Sequence, residues 1–556
     1  MFVRVKSTPN SPRKSVQLVE SYRKDAKIRQ RIVRHIGIAM DEDELQRLRD
    51  LGEYVKAKLE AESQPTLFPA EDLAQMAIEA RKRSEAQDNQ PLNVNLKMLR
   101  EEQRVVTGPH EVFGEFYREL GFDKLMGARR KAAERNLFHT VMGRLANPQS
   151  KRATVAALEK DFGVHLSLQS VYRMMDSVDE KVVEKAKKKA CEAANNLLGC
   201  SVQLLFYDCT TLYFESFTED ELKKNGYSKD MKFNQPQVVL GLLATEEGLP
   251  VDYEVYSGNQ FEGKTLKTAI GNIREKYDLK QVVFTADSAL LNKENLALLA
   301  ELEVAYIIGA RLKNLTAAWT REVLDTDNYQ NGATDAPYQR IREWDYGDGR
   351  RLIVTYSQKR ADKDRHDREQ AVEKLRAKIA ENENPASLIS NYGYKRFLRI
   401  EGNSKVVLEE KKLEQAARWD GLHGVITSAP ELSAGEALEQ YKKLWQIEDC
   451  FRVAKHDLRV RPIFHWTPTR VRAHILICFL ALVCMRYLAY RHRLRFESMS
   501  PARIVRTLNS VQASILRDTS TNRRYVLPSR ISEDARKLYT TMALKPDSTP
   551  YEILSN

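Results

Sequence analysis

The six cysteines of this 556-residue chain include no C-x-x-C pair, so neither a zinc ribbon nor a thioredoxin-type redox site is indicated, and a reducing cytoplasm fits them best. The opening MFVRVKSTPN has no apolar segment of the kind a secretory signal carries. Also missing is an apolar run able to cross a bilayer. The longest, ILICFLALVCM from Ile475 to Met485, ends at Arg486, well short of the ~20 residues a span requires. It reads as a buried core helix, and no membrane association is expected. Tryptophan is scarce, with five in the chain, all beyond residue 311.

The rest of the composition is that of a folded protein. Hydrophobic residues make up 42% and charged residues 30%, which argues against wholesale disorder, and the length allows two to four domains with at least one large core. Lys and Arg outnumber Asp and Glu by 89 to 77, a net charge of +12, which favours a polyanionic partner.

Along the chain, FVRVKS, SVQLVESYR and IRQRIVRHIG alternate like short strands before the acidic MDEDEL opens a helix to about Ala61. A polar, Pro-containing stretch separates this module from a helical region, rich in Arg and Lys, from about Pro109 to Leu198. Inside it, KRATVAALEKDFGVHLSLQSVYRMMD has the outline of a helix-turn-helix, open both to DNA reading and to plain packing. From Ser201 the pattern turns to strands: VQLLFYDCTTLYF, then the hairpin VVLGLLAT and LPVDYEVYSG. A helix (Lys264 to Tyr277), a strand (QVVFTAD), a helix (Asn292 to Glu303) and a strand (VAYIIGA) follow. The order β-β-β-α-β-α-β predicts a mixed five-stranded α/β sheet with helices on its faces, the order of the ribonuclease H-like fold. About a hundred residues of mostly β character then interrupt it, broken by a charged helix near 361–381.

Carboxylates in apolar strands are costly unless paired or bound. Asp208 falls in the middle of FYDCTTLYF, and Asp287 ends VVFTAD. Asp287 before Ser288 is also open to a helix N-cap reading. If their strands are neighbours, both can serve hard cations such as magnesium. In YKKLWQIEDCFRVAKHDLRVRPIFHW, Tyr441, Trp445, Glu448, Arg452, Lys455 and Arg459 share one helical stripe, while Leu444, Ile447, Phe451, Ala454 and Leu458 form an apolar one beside it. Glu448 can then be a third metal ligand, or merely pair with Arg452 at i,i+4. Lys455, roughly 10 Å along the axis from Glu448, suits a phosphate. Arg459, Arg461, Arg470 and Arg472 also suit phosphates or open solvent.

Tyr441, Glu448 and Lys455 occupy three positions of a Y-x2-R-x3-E-x6-K signature, with Leu444 where the pattern has Arg. With FYDCTTLYF, SGNQFEGKT and FTADSALL, the segment resembles the bacterial insertion-sequence DDE transposases of the insertion-sequence-four superfamily. Lys442 or Lys443 is available in place of the missing Arg. The resemblance implies cut-and-paste transposition by a homodimer holding double-stranded DNA, both transposon terminal inverted repeats and target, in the bacterial cytoplasm with the nucleoid. Asp208, Asp287 and Glu448 would bind two magnesium ions, or manganese. Tyr441, Lys455, Arg452, Arg459 and Arg461 would face DNA, and Trp419 or Trp445 would stack on a flipped base. It divides the chain into a basic α+β module (1–65), a helical DNA-binding region (66–198), a first catalytic part (199–312), a β-rich insertion (313–430), the glutamate helix and its successor (431–495) and a C-terminal helical region (496–556). The alternatives are a ribonuclease H-like DNA nuclease without strand transfer, and an inactive transposase-derived DNA-binding protein. A carboxylate-pair glycosidase is disfavoured by the cations lining the helix.

Overall fold

The computed structural model describes residues 1–7, 13–24, 27–63, 92, 94–199, 204–215, 217–228, 234–260, 265, 266, 269, 283–288, 292–331, 339–381, 397–401 and 405–553. The Pro-containing linker and most of the helix expected over 264–277 lie outside the described residues.

At the N-terminus β1 (Phe2–Ser7), β2 (Lys14–Lys24) and β3 (Lys27–Ala39) form an antiparallel sheet. Helix α1 (Glu42–Ser63) packs Leu45 and Leu48 against Val16 and Ala39. Its entry is fixed reciprocally: Asp41 accepts from the Glu44 N–H (2.7 Å) and Glu44 accepts from the Met40 N–H (2.9 Å). Strand β4 (Leu99–Val106) precedes helices α2 (Gly108–Glu119), α3 (Lys131–Ala146), α4 (Lys151–Phe162), α5 (Leu168–Asp176) and α6 (Glu180–Leu198). Gly163 ends α4 at φ +67°, and the Ser167 hydroxyl caps α5 by accepting from Ser170 N–H at 3.1 Å. The helix-turn-helix outline is therefore present. One face of α5, Val171, Met174 and Met175, is buried in the core, while Gln169 and Arg173 stay exposed.

The central sheet has nine strands, not the five expected. In chain order they are β5 (Leu204–Tyr213), β6 (Gln237–Thr245), β7 (Pro250–Ser257), β8 (Val283–Ala286), β9 (Ala305–Gly309), β10 (Gln330–Asn331), β11 (Gln339–Gly347), β12 (Arg350–Ser357) and, later, β15 (Leu422–Thr427). Their spatial order is β10-β11-β12-β15-β9-β8-β5-β6-β7. The expected strands lie together as β7-β6-β5-β8-β9, with β5, β8 and β9 parallel and the hairpin strands antiparallel. The interrupting segment adds its own strands to the β9 edge, because Val425, Ile426 and Thr427 pair with Gly309, Ile308 and Ile307. Long-range pairing of this kind leaves no local signal. Helices α7 (Lys293–Glu301), α8 (Ala317–Leu324) and α9 (Gln358–Glu381) flank these strands, and β13 (Leu398–Glu401) and β14 (Lys405–Leu408) pair as a separate ribbon before α10 (Glu410–Ala417).

Helices α11 (Ala434–Lys442) and α12 (Trp445–Arg452) cross one face of the sheet, and α13 (Pro468–Arg493) runs through the core. By length and composition α13 passes for a membrane span, yet 83% of its most apolar window is buried inside the protein. The C-terminal region, expected to be helical, alternates α14 (Pro501–Asn509), β16 (Gln512–Asp518), β17 (Arg524–Pro528), α15 (Glu533–Thr541) and β18 (Tyr551–Ile553). Its strands close a sheet with β4 in the order β18-β17-β16-β4.

Candidate active site

Between Leu204 and Leu212 every residue of β5 is buried except Asp208. Tyr207 pairs with Ala286 of β8 in parallel register, and continuing that register by one residue sets Asp208 beside Asp287, where β8 ends. Asp208 is half-buried and Asp287 exposed. Each turns an oxygen to the N–H of the next residue, at 2.7 Å from Cys209 and 2.6 Å from Ser288. The described helix further along, α7, is capped by Asn292, which accepts from Asn295 N–H at 2.8 Å. Asp287 follows the carboxyl end of β8, the usual ligand position of an open α/β sheet, while Asp208 lies mid-strand on β5 at the same level.

The glutamate segment is not one continuous helix. Helix α11 starts with a Ser433–Glu436 capping box and ends at Lys442. Two tight i→i+3 bonds, Leu444 N to Tyr441 O (3.0 Å) and Ile447 N to Leu444 O (3.1 Å), then bend the chain into α12. A π-turn over Val453–Asp457 follows, closed by Leu458 N to Val453 O at 2.9 Å. Tyr441 therefore belongs to a different helix from Glu448, and the single stripe is interrupted. The apolar stripe is buried as expected: Leu444, Ile447, Phe451, Ala454 and Leu458 all lie in the core. Leu444, standing where an Arg was expected, is core, while Lys442 pairs with Glu439 and Lys443 with Glu246.

The inner face of α12 is tied down by Arg486 of α13, which donates to Asp449 (2.5 Å), Gln446 (3.2 Å) and the Gly248 carbonyl (3.0 Å). Arg452 does not pair with Glu448. It holds Asp449 at 2.8 Å and Asp457 at 3.4 Å. Glu448 is exposed and, among the described residues, forms no ion pair.

Tyr441 reports what these placements bring together. Burial, then the negative charges of Asp287 and Glu448, and less strongly Asp208, push its phenol pKa well above the ordinary value, with Arg360 opposing. Three carboxylates from three elements thus bear on one hydroxyl. That hydroxyl lies so close to Gly309 of β9 that a Cβ there would collide with it. His423, on β15, packs its ring 5.3 Å from that of Tyr441, and its pKa is lowered to about 4 by burial, with Arg360 and Lys442 adding and Asp287 opposing. His423 and Arg360 were missed in the sequence because they come from the interrupting segment and arrive only through sheet pairing.

The remaining expected residues disperse. Lys455 is half-buried within the π-turn. Arg459 is exposed, and Arg461 stacks over Tyr213 at 5.6 Å. Trp419 is half-buried against the main core, whereas Trp445 is 55% exposed, one helical turn from Glu448. Phe464 and Trp466, 55% and 74% exposed, were not singled out as site residues, although exposed aromatics beside Arg461 form a similar surface.

Compared with known families, residues 203–484 match the model of the transposase DDE domain, and residues 2–66 match the N-terminal domain of IS1634 family transposases. The chain belongs to the DDE transposases. Among solved structures, this transposase is similar to a piggyBac transposase synaptic complex with hairpin DNA, at 8% identity and a TM-score of 0.38, over 72% of this chain and 79% of that one. It is similar also to the Mos1 mariner paired-end complex with Mn, at 11% identity and a TM-score of 0.14, over 51% of this chain and 80% of that one. At those scores neither likeness bears on the fold. No curated protein matches the chain significantly.

The transposase carries out metal-dependent DNA cleavage and strand transfer, as its family does. Among the described residues no three His, Cys, Asp or Glu side chains are drawn together as a metal-binding group. The donor chemistry nonetheless fits a hard divalent cation: the groups from β5, β8 and α12 whose charge bears on Tyr441 are all carboxylates, and among the described residues Glu448 has no ion-pair partner.

Proposed function

We propose that Asp208, Asp287 and Glu448 are the acidic triad of a ribonuclease H-like core, holding two magnesium ions, or manganese, for cut-and-paste transposition of an insertion sequence of the insertion-sequence-four type. The observation that carries this reading is the joint effect of the three carboxylates on Tyr441, together with the pairing of Arg452 to Asp449 and Asp457 instead of Glu448. When bound, such ions polarise phosphate oxygens and favour the attacking water or 3′-hydroxyl.

The chain's own residues supply position and charge. Tyr441, kept protonated by burial and by its acidic neighbours, is a neutral donor at the edge of the site. Lys455, Arg459 and Arg461 follow Glu448 on the DNA side as phosphate contacts, with Arg452 contributing through its exposed flank. Exposed Trp445 is better suited than half-buried Trp419 to stack on an unpaired base. The partner is double-stranded DNA, terminal inverted repeats and target, gripped by a homodimer in the bacterial cytoplasm. The basic module over 1–65 and the helical region over 66–198 read the ends; 199–312 and 431–495 form the core around the 313–430 insertion, and 496–556 braces it.

The test is Glu448→Gln in the purified transposase with a labelled terminal-repeat duplex. Cleavage should disappear in magnesium and in manganese while end binding persists. Full metal-dependent cleavage by the variant would remove Glu448 from the triad.

A further inference from the structure

Just past the glutamate helix lies an open groove of about 640 Å³, lined by residues from three distant parts of the chain: Asn147 after α3, His456, Asp457 and Arg459 beyond α12, and Arg506 and Asn509 on α14. On α14, Ala502, Val505, Arg506 and Asn509 fall at i, i+3, i+4 and i+7 and share this face, while Ile504, Thr507 and Leu508 face the core.

Three observations single the groove out. The first is charge. Arginines around it are neutralised within the protein: Arg452 by Asp449 and Asp457, Arg470 by Asp176, Arg503 by Asp534. Arg459 and Arg506 are exposed and, among the described residues, have no carboxylate partner. The one acid in the lining, Asp457, is already engaged by Arg452 at 3.4 Å.

The second is backbone strain. Arg459 sits at φ 46°, a left-handed conformation that costs a side-chain-bearing residue about 1 kcal/mol or more. The third is the device that holds it there. Buried Arg144 donates to the Leu458 and Arg459 carbonyls, both at 3.3 Å, and to the Gln149 carbonyl at 2.9 Å. A guanidinium spent on main-chain carbonyls fixes the direction in which the next side chain leaves. Here that side chain is a cation directed into the groove.

We propose that this groove is a second DNA-backbone site, in which Arg459 and Arg506 grip phosphodiesters of the duplex beyond the carboxylate edge, with Arg144 as the positioning residue. The inference rests on the DNA-cleaving role proposed for the Glu448 segment. Its chemistry, two unneutralised guanidinium groups flanked by amide side chains, recognises phosphate without reading bases. Duplex from a transposon end and duplex from a target offer the same backbone.

The experiment uses the full-length transposase, with Arg506→Gln, Arg506→Lys and Arg459→Gly. Glycine at 459 keeps the left-handed backbone while removing the cation. Binding is measured across a salt series to a terminal-repeat duplex and to a duplex of unrelated sequence. Arg506→Gln and Arg459→Gly should each weaken binding and reduce the slope of log K against log salt by about one, and Arg506→Lys should restore most of that slope. Loss confined to the terminal-repeat duplex assigns the groove to the transposon end; equal loss on both assigns it to any duplex. Unchanged slopes in both Gln and Gly variants would overturn the proposal. Glu448→Gln in parallel separates this from the triad, since it should abolish cleavage with the salt slope intact.

Discussion

Asp208 on β5, Asp287 at the end of β8 and Glu448 on α12 leave their carboxylates partly or wholly in water, whereas Arg144, Lys151, His465 and His474 gather basic groups and bury them. The buried group resolves its crowding internally. Arg144 is satisfied by carbonyls, and Lys151 Nζ lies 3.1 Å from His474 Nδ1. His474 Nε2 meets the Val460 carbonyl at 2.9 Å, which requires that nitrogen to carry the proton and leaves Nδ1 to accept from Lys151. Burial lowers the Lys151 pKa to about 7 and that of His465 to about 3, and depresses His474 as well. The carboxylates stay nearer to water: Asp208 is half-buried, and Asp287 and Glu448 are exposed. Their charge bears on Tyr441, whose phenol is pushed up by burial and by Asp287, Glu448 and Asp208, with Arg360 opposing.

The largest expected effect breaks the acidic side. Asp208→Asn, Asp287→Asn or Glu448→Gln should each lower strand cleavage roughly a thousandfold, corresponding to several kcal/mol of lost transition-state stabilisation, with melting temperature unchanged or raised because like charges are removed. A fall in stability matching the fall in cleavage would make these residues structural. Next, Arg144→Met should destabilise the fold by about 2–4 kcal/mol in urea denaturation, since buried carbonyls lose their donor. An unaffected midpoint would show that the exit of the π-turn is held by other contacts.

The basic cluster also carries a pH signature. Lys151 titrates near 7 when folded and near 10.5 when unfolded, so between those values the unfolded chain binds more protons and stability rises with pH, by up to about one proton's worth of slope. Below pH 7 both states are protonated and this contribution is flat. Lys151→Met should remove that rise from a series of thermal melts across the window. The smallest effect distinguishes the tryptophans: Trp445→Ala should change stability by less than about 0.5 kcal/mol, whereas half-buried Trp419→Ala should cost several times more. Equal costs would mean that Trp445 packs and does not wait for a base.

Much of the site was legible wherever a residue broke an apolar pattern. Asp208 stands out within FYDCTTLYF because burial of every neighbour makes it the costly position, and between Leu204 and Leu212 it is the one residue of β5 not buried. Glu448 was legible as a choice between two partners but not as the outcome, because Asp449 and Asp457 compete for Arg452 and Arg486 holds the helix from behind. The break between α11 and α12 was hidden, since Lys443 and Leu444 are ordinary helix formers and the bend follows from crossing the sheet.

By itself the sequence determined the order of the first five central strands, the burial of α13 and the identity of the acidic and basic candidates, all properties of local periodicity and composition. Tertiary structure alone decided that the interrupting segment extends the sheet to nine strands, that β4 closes onto the C-terminus, that His423 and Arg360 come to Tyr441, and that Arg459 and Arg506 share a groove. Each of these depends on pairing or packing between residues far apart in the chain, where backbone hydrogen bonds and buried area choose the partner and no single segment records the choice.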